Sequence, residues 1–189
     1  MLPIKGKFSI TAIYGQSGKH WANGHKGIDF VSSDKNVYST CNGVVRVVAY
    51  DETGWGRYIS IGEGDRRHLY CHLKSINVVE GAKVKAGQLI GIMGSTGNST
   101  GVHLHYQVNN ASGTVLNAAE YLDIPNETGE YNSDDFTLFK DDKDIPSWAR
   151  EAVYEAKEKG RMVGDADGNF RPNAPLTRAE AAVLIRNID

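Results

Sequence analysis

Val102-His103-Leu104-His105-Tyr106-Gln107-Val108 alternates apolar and polar side chains without a break, and a period of two is the mark of a half-buried β-strand. His103, His105 and Gln107 are then expected on one face, with Leu104, Tyr106 and Val108 on the other. Side chains two apart on a strand stand roughly 6–7 Å from each other. Two such neighbours rarely both reach one metal ion. One histidine of the pair is therefore expected to ligate, while the other stands over an open coordination position; the spacing leaves open which does which.

Upstream, His25-Lys26-Gly27-Ile28-Asp29 supplies a second imidazole and a carboxylate, in a chain holding six histidines. Two imidazoles and one carboxylate suit a catalytic zinc ion with one position left for water, and that chemistry is hydrolytic. A third string, Tyr70-Cys71-His72-Leu73, adds a histidine beside the metal. Alternation along 68–73 puts His68, Tyr70 and His72 on one face and Leu69, Cys71 and Leu73 on the other. His72 is thus expected to face a groove, and Cys71 a core. The Gly/Ser/Thr run at 94–101 reads as a flexible groove wall, because it lacks the Gly-Lys-Ser/Thr ending of a phosphate-binding loop.

Strand-like runs recur at 44–50, 58–61, 68–73, 89–93 and 102–109, separated by Gly, Asn and Asp turns. Helical periodicity is absent as far as Leu122. The expected fold class is mainly β: an antiparallel sheet or sandwich with a loop-walled groove, followed by a small α-helical C-terminal module. The 189 residues allow one ordinary domain plus an appendage. The expected division is a catalytic domain at 1–123, a polar linker at 124–135 and a tail at 136–189.

In the tail, Trp148, Ala149, Ala152, Val153 and Ala156 are read as one helical face closed by Gly160. Thr177-Arg178-Ala179-Glu180 is a capping box opening a second helix, whose apolar content is Ala181, Ala182, Val183, Leu184 and Ile185. Between them lies Gly164-Asp-Ala-Asp-Gly-Asn-Phe-Arg-Pro-Asn173. It departs from a calcium loop, since counting from Asp165 the sixth and twelfth places hold Phe170 and Leu176 rather than Gly and Glu.

The net charge of −2 offers no footprint for a nucleic acid or a basic membrane patch, and no apolar run approaches the length of a membrane span. Met1-Leu-Pro-Ile-Lys5-Gly-Lys7 lacks the apolar core of a signal peptide. The expectation is either a signal removed or an exit by another route, as for a phage endolysin that stays cytoplasmic until phage-made holes release it to the wall.

His-x-x-x-Asp, Tyr-x-His-Leu and His-Leu-His, the last preceded by Gly94-Ser-Thr-Gly-Asn-Ser-Thr-Gly101, come in this order with Gly43-Val-Val, Gly54-Trp-Gly and Val84-Lys-Ala-Gly-Gln-Leu-Ile-Gly91 between them. From about Gly15 to Leu122 the chain resembles the lysostaphin/LytM-type peptidoglycan zinc endopeptidases. The resemblance implies His25, Asp29 and His105 as Zn2+ ligands, His72 and His103 as catalytic histidines, and peptidoglycan stem or cross-bridge peptides as substrate. Glycyl-glycine bridges and D-alanyl–diaminopimelate links are both cleaved within that family.

Residues 136–189 resemble one S-layer homology repeat, through Phe139-x-Asp-x-x-x-Asp144, Trp148, the segment 164–173 and Thr177-Arg-Ala-Glu180. That resemblance implies a secondary cell wall polymer as partner, with Arg178 contacting an anionic sugar through paired guanidinium donors. Such repeats usually come in threes; here there is one. Two other readings stand beside the enzyme. One is a catalytically inactive relative that binds wall or activates another hydrolase, and the other is a structural surface-layer component. His20 and His68 are read as bystanders, and Cys41 and Cys71 as buried free thiols, with a disulfide left open.

Overall fold

The computed structural model describes residues 1–19 and 21–186 and divides the chain into two compact units, Met1–Phe136 and Thr137–Asp189. His20 lies outside the described residues, as do the side chains of Leu184 and Ile185.

The first unit is built from β1 (Lys7–Ala12), β2 (Ile28–Ser32), β3 (Asn36–Tyr38), β4 (Gly43–Asp51), β5 (Gly56–Glu63), β6 (Arg66–Ile76), β7 (Lys83–Val84), β8 (Leu89–Met93), β9 (Leu104–Asn109), β10 (Val115–Leu116) and β11 (Gly129–Asn132). Its main path runs β11-β1-β2-β9-β6-β5-β4-β7, with β10 beside β9 and β8 joining β6 to β3. All these pairings are antiparallel, which suits a chain whose connections are short turns. The expected mainly β, antiparallel architecture is what the structure has.

The centre of the sheet is β2-β9-β6. One of its faces carries Ile28, Phe30, Leu104, Tyr106, Val108 and Tyr70, all fully buried. Burial of each such side chain stabilises the fold by about 1.5–3 kcal/mol, so this face anchors the register that places the polar face. The buried hydroxyls of Tyr70 and Tyr106 share Thr40 Oγ1 as a partner, at 2.8 and 3.0 Å.

A short helix, α1 (Ala118–Leu122), stands where no helical periodicity is visible. At five residues it is too short to show a period; its start is set by Asn117, whose side chain accepts from the Ala119 amide at 3.1 Å. The segment expected as a linker contains β11, paired with β1 from Lys7↔Asn132 to Ile10↔Gly129. Its composition is polar, yet Tyr131 stacks on Phe8 at 5.7 Å and the strand covers an otherwise open sheet edge.

The second unit has two described α-helices, α2 (Ser147–Glu158) and α3 (Arg178–Arg186). Phe139, Ile145 and Val153 form its buried centre, with Ala149 and Phe170 packed against them. Gly160 closes α2 with φ +64°. Trp148 is 85% exposed and Ala152 is exposed, against the expected single face: that stripe sits one residue, about 100° of helix, away from Ala149 and Val153. The capping box forms, with the Glu180 amide donating to Thr177 Oγ1 at 3.2 Å and the Thr177 amide donating to Glu180 Oε2 at 2.8 Å. Among the described residues no helix is long and apolar enough to cross a membrane.

Candidate metal centre

Three strands set the site by register alone. Asp29 of β2 lies across from His105 of β9, and His105 lies across from Cys71 of β6. Directly paired residues share a face, so Asp29, His105 and Cys71 form one row on the side opposite Tyr106 and Tyr70. His25 enters from the segment before β2. Gly27, inside the same motif, lets this segment press on β9: a Cβ there would stand 2.2 Å from the Tyr106 carbonyl oxygen.

His25 Nε2, Asp29 Oδ1 and His105 Nδ1 make a near-equilateral triangle, with sides of 3.0, 3.1 and 2.9 Å. The remaining ring nitrogens are committed as donors. His25 Nδ1 donates to the Ile13 carbonyl at 3.0 Å, and His105 Nε2 donates to Gln107 Oε1 at 3.4 Å. Gln107 is itself oriented by donating its amide to Asn109 Oδ1 at 2.7 Å. In the tautomers that make these donations, each imidazole turns a lone pair toward the carboxylate. Three acceptors so placed repel unless a cation joins them: a metal ion, or in the metal-free protein protons, which make the imidazoles the donors that lower the Asp29 pKa. A triangle of this size has a circumradius of about 1.7 Å, less than the roughly 2.0–2.1 Å of a Zn–N or Zn–O bond, so one ion can cap it. The donor set and its oriented outer partners fit zinc.

His72 and His103 stand beside the triangle, with ring centroids 4.6 Å apart. His72 Nδ1 donates to the Thr96 carbonyl at 2.9 Å, and His103 Nδ1 donates to the Gly101 carbonyl at 2.9 Å. Each thereby presents Nε2 to the site, and His103 Nε2 is 3.8 Å from Asp29 Oδ2. The loop 94–101 does wall the groove, which is also lined by Trp21, Trp55 and Val115. It is tied down: Thr96 Oγ1 donates to the Leu73 carbonyl at 2.9 Å, and the Asn98 amide to the Gly54 carbonyl at 2.9 Å. Gly97 has φ +71° and no room for a Cβ against Gly56.

The expected faces of β6 need correction. Its pairing with β5 slips between Ile59↔Tyr70 and Arg57↔Leu73, so Cys71 and His72 together oppose Tyr58. This bulge gives His72 a φ of +62° and turns it from the Tyr70 side to the groove. His68, expected beside His72, is instead fully buried, 2.8 Å from the Tyr106 hydroxyl. Cys71 is fully buried on the row of His105 rather than opposite the site. Both cysteines are free thiols.

Burial opposes ionisation of Asp29, but contacts from His105 and His25 outweigh it and hold the carboxyl well below the usual carboxylate range. Burial is also the first cause acting on His72. The neighbouring His103 and His105 add to it, against the Thr96 carbonyl, and the imidazole is pushed down to about 4. At neutral pH the carboxylate is therefore charged and His72 is a free base.

Arg178 is exposed in the first turn of α3, in the second unit. In the same unit Asp165 accepts from the amides of Asp167 and Asn169 and pairs with Arg171 at 2.5 Å; its carboxylate organises the turn. Sequence reasoning gave no role to the carbonyls of Ile13, Thr96 and Gly101, because backbone acceptors leave no residue signature. Gln107 did carry one, being two residues from His105 on the same face.

Residues 23–118 match the model of Peptidase family M23, and residues 138–182 match the S-layer homology domain. Peptidoglycan DD-endopeptidase ShyA of Vibrio cholerae is 41% identical over 112 residues, covering 56% of this chain and 26% of that protein. The catalytic domain of the antimicrobial peptidase lysostaphin from Staphylococcus simulans has a TM-score of 0.56 at 32% identity, covering 63% of this chain and 92% of that one. A zinc-containing peptidase from Vibrio cholerae has a TM-score of 0.54 at 33% identity, covering 61% and 37%. The chain spans about a quarter of the length of curated relatives such as the first. With the M23 match extending over just half of its length, and the His25, Asp29 and His105 cluster inside that match, the chain belongs to Peptidase family M23, with an S-layer homology domain after it.

Proposed function

We propose that this chain is a zinc-dependent endopeptidase that hydrolyses peptide bonds of bacterial peptidoglycan, and that its second unit holds it at the wall through a secondary cell wall polymer. The observation that carries the reading is the triangle of three acceptors, two of them imidazoles whose outer nitrogens are already committed. His25, Asp29 and His105 would hold the ion, which when bound supplies Lewis-acid polarisation of the scissile carbonyl and acidifies water at its open position.

This chain's own residues supply the proton path. His72 Nε2 is unprotonated at neutral pH and faces the site, so it can take a proton from water and return it to the leaving amine. His103 Nε2 faces the same space and gains an N–H on protonation, the form that donates to an oxyanion. The two roles are interchangeable in this geometry. Asp29 orients the pair electrostatically, since its second oxygen is the carboxylate atom nearest His103. The wall formed by 98–101, Trp21 and Trp55 leaves an open groove, the shape an extended peptide needs. Arg178, exposed at the start of α3, is the proposed contact to an anionic wall sugar. The test is release of muropeptides from purified walls, identified by mass spectrometry, with and without chelator; undiminished release after zinc has been stripped would end the reading.

A further inference from the structure

A second cluster of metal-binding groups lies outside the groove. The ligand atoms of Cys41, Glu63 and His68 all stand within 4.8 Å of one another. They come from three segments: the turn between β3 and β4, the end of β5, and β6. His68 is fully buried, and its Nδ1 is engaged at 2.8 Å with the Tyr106 hydroxyl. Its Nε2 points at Glu63 Oε2, 3.3 Å away, yet has no hydrogen-bond partner among the described residues. A buried imidazole nitrogen left without a hydrogen bond is costly, and this one faces a carboxylate, with the Cys41 thiol in the same cluster.

We propose that Cys41, Glu63 and His68 form a second metal site, selective for a thiophilic divalent ion such as zinc, cobalt(II) or cadmium. A thiolate, an imidazole and a carboxylate are a borderline-soft donor set, which disfavours magnesium and calcium. The ligand atoms of a tetrahedral site with these donors are about 3.3–3.6 Å apart, so the His68–Glu63 pair is already at bonding separation, and the Cys41 sulfur lies within 4.8 Å of both partners. Glu63 is 35% exposed, leaving a way in and a position for water. Tyr121 steadies Glu63 by donating to Oε2 at 3.0 Å. Without metal, burial and the nearby Glu63 push the Cys41 thiol up to about 12; binding replaces the S–H bond with an S–metal bond and releases that proton to solvent. The bound ion would pin the β5–β6 hairpin to the turn before β4.

The three-residue triangle of the groove contains no sulfur, so a thiolate signal reports this site alone. The full chain is stripped of metal and titrated with cobalt(II). The expected result is about one cobalt per chain beyond that in the groove, with a near-ultraviolet thiolate-to-cobalt band. Cys41→Ser abolishes the band while visible cobalt bands from the groove persist, and Cys71→Ser leaves it in place. Glu63→Gln, on a part-exposed side chain, weakens the titration at least tenfold and serves if Cys41→Ser does not fold. Saturating cobalt without a thiolate band overturns the proposal, as does a band that survives Cys41→Ser or vanishes with Cys71→Ser. Visible bands alone would leave the groove reading standing while this one fell.

Discussion

Cys71 stands directly across the β6–β9 pairing from His105, and that register decides where His72 points. Had β6 continued its alternation, His72 would follow Cys71 onto the face of Tyr70 and Tyr106. The bulge opposite Tyr58 and a left-handed backbone at His72 reverse it. The His72 amide, freed from the ladder, donates to the Trp55 carbonyl at 2.8 Å, and its Nδ1 donates to Thr96. A non-glycine residue at positive φ costs about 1–2 kcal/mol. Here that strain aims an imidazole into the groove.

Metal retention divides the histidines. His25→Ala, Asp29→Ala and His105→Ala should each lose the zinc of the groove, because each removes one of its three protein donors. Gln107→Leu should fold but bind zinc about 10–100-fold more weakly, since it frees His105 Nε2 from its acceptor. Metal analysis of the purified variants, with competition against a chelator for Gln107→Leu, checks both. Full occupancy in all three alanine variants would remove the triangle as the ion's seat.

Turnover divides them the other way. His103→Ala and His72→Asn should keep near-normal zinc and lose on the order of a hundredfold or more in rate. Asn is chosen at 72 because it tolerates positive φ. Rates on a soluble muropeptide, set beside metal content, make the comparison; loss of zinc in His103→Ala with retention in His105→Ala would mean the two had been assigned backwards.

Much of this site is visible in the sequence because its spacing obeys strand geometry. The alternation from Val102 to Val108 puts His105 and Gln107 on one face, and His25-x-x-x-Asp29 brings two donors into reach of it. What alternation cannot carry is its own interruption, so the sequence places His68 beside His72 and Cys71 away from the groove. β2 escapes notice for another reason: Ile28, Asp29 and Phe30 are all buried, so a strand sealed on both sides shows no period. β11, with Gly129-Glu130-Tyr131-Asn132, has the composition of a linker and becomes a strand only because β1 offers an open edge. Edge pairing is a tertiary fact that local propensity does not encode.

Acid should weaken the metal-free fold through His72. Its folded pKa, about 4, lies below its ordinary 6.5. Between those values the unfolded chain binds a proton that the folded chain excludes, so this contribution falls as pH drops from 6.5 toward 4. Asp29, held low by His105 and His25, adds a further loss that begins near the ordinary carboxylate pKa and is complete only at its own depressed one. Urea unfolding of chelator-treated protein at pH 7 and 4.5 should differ by on the order of 1 kcal/mol more in wild type than in His72→Asn, the open groove beside the ring keeping the effect modest. An identical pH dependence in the two proteins would show that His72 is not the group responsible.

Truncation after Phe136 should separate catalysis from wall retention. Ending the chain at Asp123 would delete β11, uncover the edge of β1 and remove Tyr131 from Phe8, confounding any result. Ending it at Phe136 keeps the whole first unit and every proposed zinc ligand. The truncated protein should load zinc and cleave small soluble muropeptides at a rate close to that of the full chain. On intact walls it should lose activity, because a tethered binding module raises the local concentration of enzyme at its substrate. One repeat should hold weakly, and Arg178→Ala in the full chain should lower retention further with no change on soluble substrate. Sedimentation with purified walls measures retention in each case. Equal sedimentation of full-length and truncated protein would mean that the second unit is not what holds this chain to the wall.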